Sequence, residues 1–191
     1  MRLPASTKQL RVVGFDDAPF ARRRGSVVRL IGAVCNDTRF EGLVTGHLRR
    51  DGWDATDAVA RALEGGKFLP QIHLVLLDGI AFGGLNIVDL VSLSERLKRP
   101  CVALMRRPPD LDAMARAIQR LPNAKRRLEV LVRAGPIHAS APFYFQVQGA
   151  EPDAIAKLLP RLTDRGHVPE ALRLAHLIGG ALATGESGNR A

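Results

Sequence analysis

Residues 72–90, IHLVLLDGIAFGGLNIVDL, constrain this chain more than any other stretch. The uninterrupted apolar run at 74–77 reads as a strand covered on both faces, and Asp78, a poor strand residue, marks its carboxyl end. Gly79, Gly83 and Gly84 make the turn that follows, and a helical pattern begins at Asn86. A buried strand thus delivers a carboxylate to a glycine-rich loop, at the strand end where open α/β sheets gather their ligand sites. The plainest role for an Asp beside a Gly is to brace the turn. A second acid brought to the same place by another segment would make it a site.

The same kind of ending occurs at 10–17, LRVVGFDD, where an apolar run closes on two acids. In a strand these point to opposite faces, so at most one of Asp16 and Asp17 can share a site with Asp78. Strands follow at 26–35 and 39–48, joined by polar links too short for a parallel crossover, so the chain opens as an antiparallel meander. The period then lengthens from two to about 3.6 across 51–64, a helix that Asp54 or Thr56 can cap and that Gly65 and Gly66 stop. Further helices are expected at 86–98, 110–121, 152–162 and 169–183, and strands at 100–105 and 143–147. The segment 125–133 reads either as a strand or as the end of a helix. Three antiparallel strands followed by alternating helices and strands give an α/β fold with a mixed sheet, in the order of a ribonuclease H-like fold. One such domain is expected over residues 1–183, with a polar tail at 184–191. In that topology the first strand lies beside the fourth, which brings Asp16 and Asp78 together.

Charge narrows the partner. The balance of 28 Lys and Arg against 19 Asp and Glu gives a net charge of +9. That favours an anionic partner, and nucleic acid ahead of a membrane because no basic amphipathic segment stands out. Arg22, Arg23, Arg24, Arg49, Arg50 and Arg107 are the expected phosphate contacts, and Trp53 is the candidate for stacking on a base. Cys35 and Cys101 each lie inside an apolar strand pattern, which reads as two buried thiols of a reducing cytoplasm. No apolar run approaches the roughly twenty residues needed to cross a membrane, and the first residues lack the core of a signal peptide. A cytoplasmic location is therefore expected. The turn after Asp78 lacks the Lys-Ser/Thr ending of a phosphate-binding loop, which argues against an enzyme of small phosphorylated molecules.

Asp16, Asp78 and a member of the Asp51, Asp54, Asp57 series form the expected constellation. Crowded carboxylates repel one another and need protons or cations to neutralise them. Hard oxygen donors without Cys or His spacing point to Mg²⁺ or Mn²⁺, and such ions suit phosphodiester hydrolysis. The three-residue spacing of Asp51, Asp54 and Asp57 also fits the start of a helix, where they would serve as caps. His176 lies mid-helix among apolar neighbours and gains a role, as metal ligand or phosphate contact, only where that helix crosses the acidic site.

Four segments together, RVVGFDD at 11–17, DGWDATDAV at 51–59, LLDGIAFGGLNIVDL at 76–90 and VPEALRLAHLI at 168–178, resemble the endonuclease dU family, whose members are similar to endonuclease V. The resemblance runs over nearly the full length. It implies a ribonuclease H-like fold and metal-dependent cleavage of nucleic acid, DNA first, near a deaminated base: deoxyuridine, with deoxyinosine as the second substrate. Endonuclease V carries its first metal ligand in a Gly-x-Asp pattern, matched by Gly14, Phe15 and Asp16, and another in an Asp-Gly pattern, matched by Asp78 and Gly79. Its intervening glutamate has no match; Asp51 or Asp54 stands in its place, and Asp54 is the expected third ligand. Its basic catalytic residue falls on Arg106, an arginine suited to clamping a phosphate rather than transferring a proton. The Tyr-Pro wedge of endonuclease V has no counterpart. A non-catalytic nucleic-acid-binding protein on the same fold is the alternative.

Overall fold

The computed structural model describes residues 9–188. The meander comprises β1 (Arg11–Asp17), β2 (Val27–Asn36) and β3 (Arg39–Arg49), followed by helix α1 (Ala55–Leu63). Strand β4 (Leu74–Asp78) comes next, then a small hairpin of β5 (Ala81–Phe82) and β6 (Asn86–Ile87), helix α2 (Leu90–Leu97) and strand β7 (Cys101–Met105). Helices α3 (Leu111–Ile118) and α4 (Ala124–Arg133), strands β8 (His138–Ser140) and β9 (Phe143–Gln148), and helices α5 (Pro152–Leu158) and α6 (Glu170–Thr184) complete the chain.

The main sheet runs β3-β2-β1-β4-β7-β9-β8. β1 pairs antiparallel with β2 and parallel with β4, and β4 pairs parallel with β7. The first strand therefore lies beside the fourth, as the order of elements predicts. Alternation along these strands separates two apolar layers. Val13 and Phe15 of β1, with Val75 and Leu77 of β4, pack among residues of α1, α2 and α4. Val12, Leu74 and Leu76 pack on the other side with Ile155 of α5 and Ala171 and Leu172 of α6. Because β1 and β4 are buried on both faces, they read in the sequence as near-continuous apolar runs.

Helix α6 crosses β1 at close range. A Cβ at Gly14 would lie 2.5 Å from the carbonyl carbon of Ala171 and 2.6 Å from the nitrogen of Leu172, so only a glycine lets the helix down onto the strand here. Farther along, Gly179 packs against Ala18, where an added Cβ would meet the Ala18 Cα at 3.2 Å.

Several expected elements are redrawn. No helix starts at Asn86: residues 86–87 form β6, and α2 begins at Leu90 with Asp89 as its N-cap, accepting the Ser92 amide hydrogen at 3.1 Å. The open segment 125–133 is helical, inside α4. The helix expected at 152–162 stops at Leu158, and Pro160–Leu162 continues as a single tighter turn, since Pro160 cannot donate to the helix. The last helix runs on to Thr184, and residues 189–191 of the expected tail lie outside the described residues. Cys35 and Cys101 are buried free thiols, and burial pushes Cys35 up to about 12.

Candidate metal centre

The register of two parallel strands sets the first two site residues. Gly14 stands beside Leu76, so two residues further along each strand Asp16 and Asp78 emerge on the same face. That is the face covered by α6, and the helix supplies His176. Its Nδ1 lies 2.8 Å from Asp16 Oδ2. One ligand atom each from Asp16, Asp78 and His176 lies within 4.8 Å of the others. The sequence made the interest of His176 conditional on α6 reaching the acids, and it does.

Asp16 is 5% exposed. Burial first, and the charge of Asp78 second, push its carboxyl up to about 7, against the hydrogen bond from His176. A carboxyl buried beside a second carboxylate is one whose anion a bound cation would favour. Two carboxylates and an imidazole meeting there fit a divalent cation, with Mg²⁺ or Mn²⁺ suited to a donor set led by oxygen. Asp78 is half-buried, and Arg106 extends from the end of β7 to donate to its Oδ2 at 3.2 Å. The arginine expected from sequence to act near the acids is thus beside one of them, with Arg107 exposed next to it.

Asp17 points the other way, as strand alternation requires. Its carboxylate accepts the amide hydrogen of Gly83, and burial raises its pKa while that hydrogen bond opposes the rise. Gly83 and Gly84 both adopt positive φ, 54° and 91°, which is why the loop beyond β5 needs glycine at these positions.

The Asp51, Asp54, Asp57 series is placed elsewhere. Asp51 Oδ1 accepts the Leu85 amide hydrogen at 3.0 Å, and the Asp51 amide donates to the Gly83 carbonyl at 2.8 Å. Asp54 occupies the cap position of α1 but does not cap with its side chain; its Oδ1 accepts from Asn86 Nδ2 at 2.7 Å and the Arg49 amide at 3.2 Å. The vacant capping role falls to Asn86, fully buried, whose Oδ1 accepts the Ala55 amide hydrogen at 3.0 Å. Asp57 pairs with Arg96 on the surface at 2.6 Å. Asp51 and Asp54 hold the turn between β3 and α1 against the glycine loop and Asn86, whereas Asp16, Asp78, His176 and Arg106 are the expected residues that the fold brings together.

Arg127 was missed among the arginines of 125–133. It is 2% exposed. Its Nε donates to the Pro122 carbonyl at 3.0 Å, and its two terminal nitrogens donate to the carbonyls of Leu85 at 2.7 Å and Asp51 at 2.9 Å. The signal was present: Arg127 stands at helical spacing with Val130, Leu131 and Ala134, which places an arginine on the apolar face of α4, and all four are buried. Asn86, expected at the start of the helix at 86–98, instead caps α1.

Arg22, Arg23 and Arg24 are exposed in the turn after β1, which is laced to the end of β3 by the Arg50 amide donating to Ser26 and the Gly25 amide donating to Arg50. Arg50 Nε lies 3.4 Å from Asp51 Oδ2. Trp53 is 36% exposed, with the guanidinium carbons of Arg126 and Arg127 5.3 and 5.1 Å from its ring centroid. Among the described residues no helix is long and apolar enough to cross a membrane.

The model of the endonuclease dU family matches residues 8–183. The chain belongs to the endonuclease dU family. A UPF0215 protein of Methanothermobacter thermautotrophicus is 39% identical over 184 residues, covering 94% of this chain and 90% of that protein. Among solved structures, a protein of unknown function from Archaeoglobus fulgidus superposes with a TM-score of 0.85 at 33% identity, covering 91% of this chain and 98% of that one. Endonuclease V of Ciona intestinalis, crystallised with a 24mer DNA containing an inosine, superposes with a TM-score of 0.58 at 12% identity, covering 90% of this chain and 84% of that one. At that identity the likeness is one of fold: this endonuclease dU family member has the ribonuclease H-like architecture that the order of its elements predicts.

Proposed function

We propose that the chain is a divalent-metal-dependent endonuclease that hydrolyses phosphodiester bonds in DNA near a deaminated base, deoxyuridine first and deoxyinosine second. The observation that carries this reading is the convergence of Asp16, Asp78 and His176 at the ends of two adjacent parallel strands in a chain of the endonuclease dU family. Asp16 and Asp78 would hold Mg²⁺ or Mn²⁺, with His176 as third ligand. The ion, when bound, activates water and stabilises charge on the phosphate. Asp54, bonded to Asn86 and Arg49, is left as a structural residue of the turn.

Arg106 is tethered to Asp78 by one exposed ion pair, worth about 1 kcal/mol or less. It can therefore turn to a phosphate oxygen at little cost, and its fixed charge suits clamping rather than proton transfer. Arg22, Arg23, Arg24, Arg50 and Arg107 supply further positive charge for the backbone of the strand, which makes binding sensitive to salt. The endonuclease V of Ciona intestinalis, crystallised on DNA containing an inosine, supports the choice of DNA.

The test is a panel of oligonucleotides containing uracil or hypoxanthine, incubated with Mg²⁺ or Mn²⁺ and with wild type or Asp78→Asn protein. Cleavage by wild type and its loss in the variant, with binding retained, are the expected results. Cleavage unchanged in the variant would overturn the site, and salt-sensitive binding without cleavage by wild type would leave a nucleic-acid-binding protein instead.

A further inference from the structure

Between α1, α2 and α4 lies a cavity of about 330 Å³ that the metal centre does not use. It is at the small end of the range for ligand sites, suited to one ring system rather than a large molecule. Trp53 stands at its rim, Thr56 and Ser92 offer hydroxyls, and Arg126 and Glu129 reach in from α4.

Trp53 is the chain's sole tryptophan and is more than a third exposed, yet the turn that carries it is held on both sides. Asp51 and Asp54 bond to the glycine loop and to Asn86, and the buried guanidinium of Arg127 both grips the Asp51 carbonyl and lies near the indole. An exposed aromatic ring on a fixed turn, attended by two cations, is a platform for stacking. It loses little entropy when something lies on it.

The charges of the cavity select what that is. Its lining carries three acids, Asp57, Asp89 and Glu129, against two arginines, Arg126 and Arg133, so a phosphate is not favoured inside. Asp57 is already paired with Arg96, and Asp89 with Arg133. Among the described residues Glu129 makes no ion pair, and it stands one helical turn from Arg126, both at the surface of α4. A carboxylate acceptor without an ion pair, beside a guanidinium that lies by the indole and donates no hydrogen bond among the described residues, matches the polar edge of a neutral heterocycle. The phosphates of the same strand would find their charge outside, at Arg22, Arg23 and Arg24.

The cavity is also linked to the acids. Gly83 donates to Asp17 and accepts from the amide of Asp51, two residues before Trp53. One hydrogen-bonded path therefore joins the strand end that carries the metal centre to the platform.

We propose that Trp53 and this cavity bind one unpaired nucleobase, stacked on the indole with its polar edge toward Glu129 and Arg126. The reading that this base belongs to a DNA strand rests on the proposed nuclease function; the stacking itself does not require cleavage.

Because Trp53 is the sole tryptophan, its fluorescence reports the site directly. Wild-type protein in EDTA is titrated with a labelled single-stranded oligonucleotide, with the same strand carrying an abasic site at successive positions, and with adenosine monophosphate, while label anisotropy follows binding separately. Quenching should saturate with the strand, and one abasic position should remove it and weaken binding roughly 5- to 100-fold, the value of one stacked base. Trp53→Phe should keep most of the affinity, whereas Trp53→Ala should lose it to the same extent as the abasic strand. Arg126→Ala and Glu129→Ala, which change surface positions of α4, should each weaken binding roughly 2- to 10-fold.

A strand that binds without quenching, with every abasic position equivalent and Trp53→Ala unaffected, overturns the proposal. So does the absence of any response to strand and nucleotide alike. Quenching by the nucleotide at least as tight as by the strand supports the base site and assigns it to a free nucleotide. Metal-dependent cleavage by protein whose tryptophan is never quenched would sink the stacking and leave the nuclease reading standing; quenching without cleavage would do the reverse.

Discussion

His176 and Asp16 are 160 positions apart in the chain and meet at 2.8 Å, Nδ1 to Oδ2, because α6 rests directly on β1. The contact joins the last helix to the first strand at the one end of the sheet where Asp78 also emerges. The proposed catalysis depends on that meeting point and on the packing that creates it.

Asp78→Asn and Asp54→Asn separate the metal centre from the turn beside it. The first removes a charged ligand and should lower Mg²⁺- or Mn²⁺-dependent cleavage by roughly 100-fold or more, with a matching loss of Mn²⁺ affinity in calorimetry. The second keeps an oxygen that can accept from Arg49 and Asn86, so cleavage should stay within about tenfold of wild type. Equal losses in the two variants would return Asp54 to the ligand set that the sequence suggested.

Metal-free protein should lose stability as the pH rises from about 4 to about 7. Asp16 keeps its proton to about 7 in the folded chain, whereas an unfolded Asp ionises near 3.9. The folded state therefore binds the extra proton across that window, and this contribution, fully present below about 4, is gone above about 7. It amounts to a few kcal/mol at most, since each tenfold change in proton affinity is worth about 1.4 kcal/mol. Denaturant unfolding of wild type and Asp16→Asn, compared across this range in EDTA, isolates the effect; parallel curves would refute it. Mg²⁺ or Mn²⁺ should flatten the wild-type slope by favouring the ionised carboxylate.

Gly14→Ala should unseat α6. Its new methyl group would meet backbone atoms of Ala171 and Leu172 at 2.5 and 2.6 Å, and backbone cannot swing aside as a side-chain tip can. A cost of about 1–3 kcal/mol is expected, read as a lower melting temperature. Cleavage should fall further than stability alone explains, because the helix that moves carries His176.

Arg127→Met should be costly for a single change on a short helix. It strands the carbonyls of Asp51, Leu85 and Pro122 in a buried place, for a loss of roughly 2–4 kcal/mol. Arg127→Lys restores the charge without the forked geometry, so partial recovery is expected. Hydrogen exchange at Leu85 and nearby amides should accelerate in both variants, and more in the methionine one; an unchanged pattern would show that Arg127 does not hold the glycine loop.

Much of this was legible in the residues. The apolar runs ending at Asp16 and Asp78 announce strands buried on both faces, since Val and Leu without polar alternation suit a strand covered by helices above and below. Links too short for a crossover made β1 to β3 a meander, and the order of elements then placed β1 beside β4. The residues at 86–87 misled because Asn86 followed by an acid three positions on has the form of a capped helix start. Its amide side chain is spent on Ala55, Asp54 and Arg49 instead, partners that no local pattern reveals.

Local periodicity and turn chemistry act between neighbours in the chain, so the sequence by itself determined β1 to β4, β7 and β9, most helices, the basic character and the two acids that end β1 and β4, but not the short strands β5, β6 and β8. Only tertiary structure decided which charged groups share a site. The electrostatic cost of burying Asp16 depends on what stands across from it, and that is set by α6 packing on Gly14 and by the parallel register of β1 with β4. These contacts join residues far apart in the chain, where the pattern of one segment carries no information about the side chains of the other.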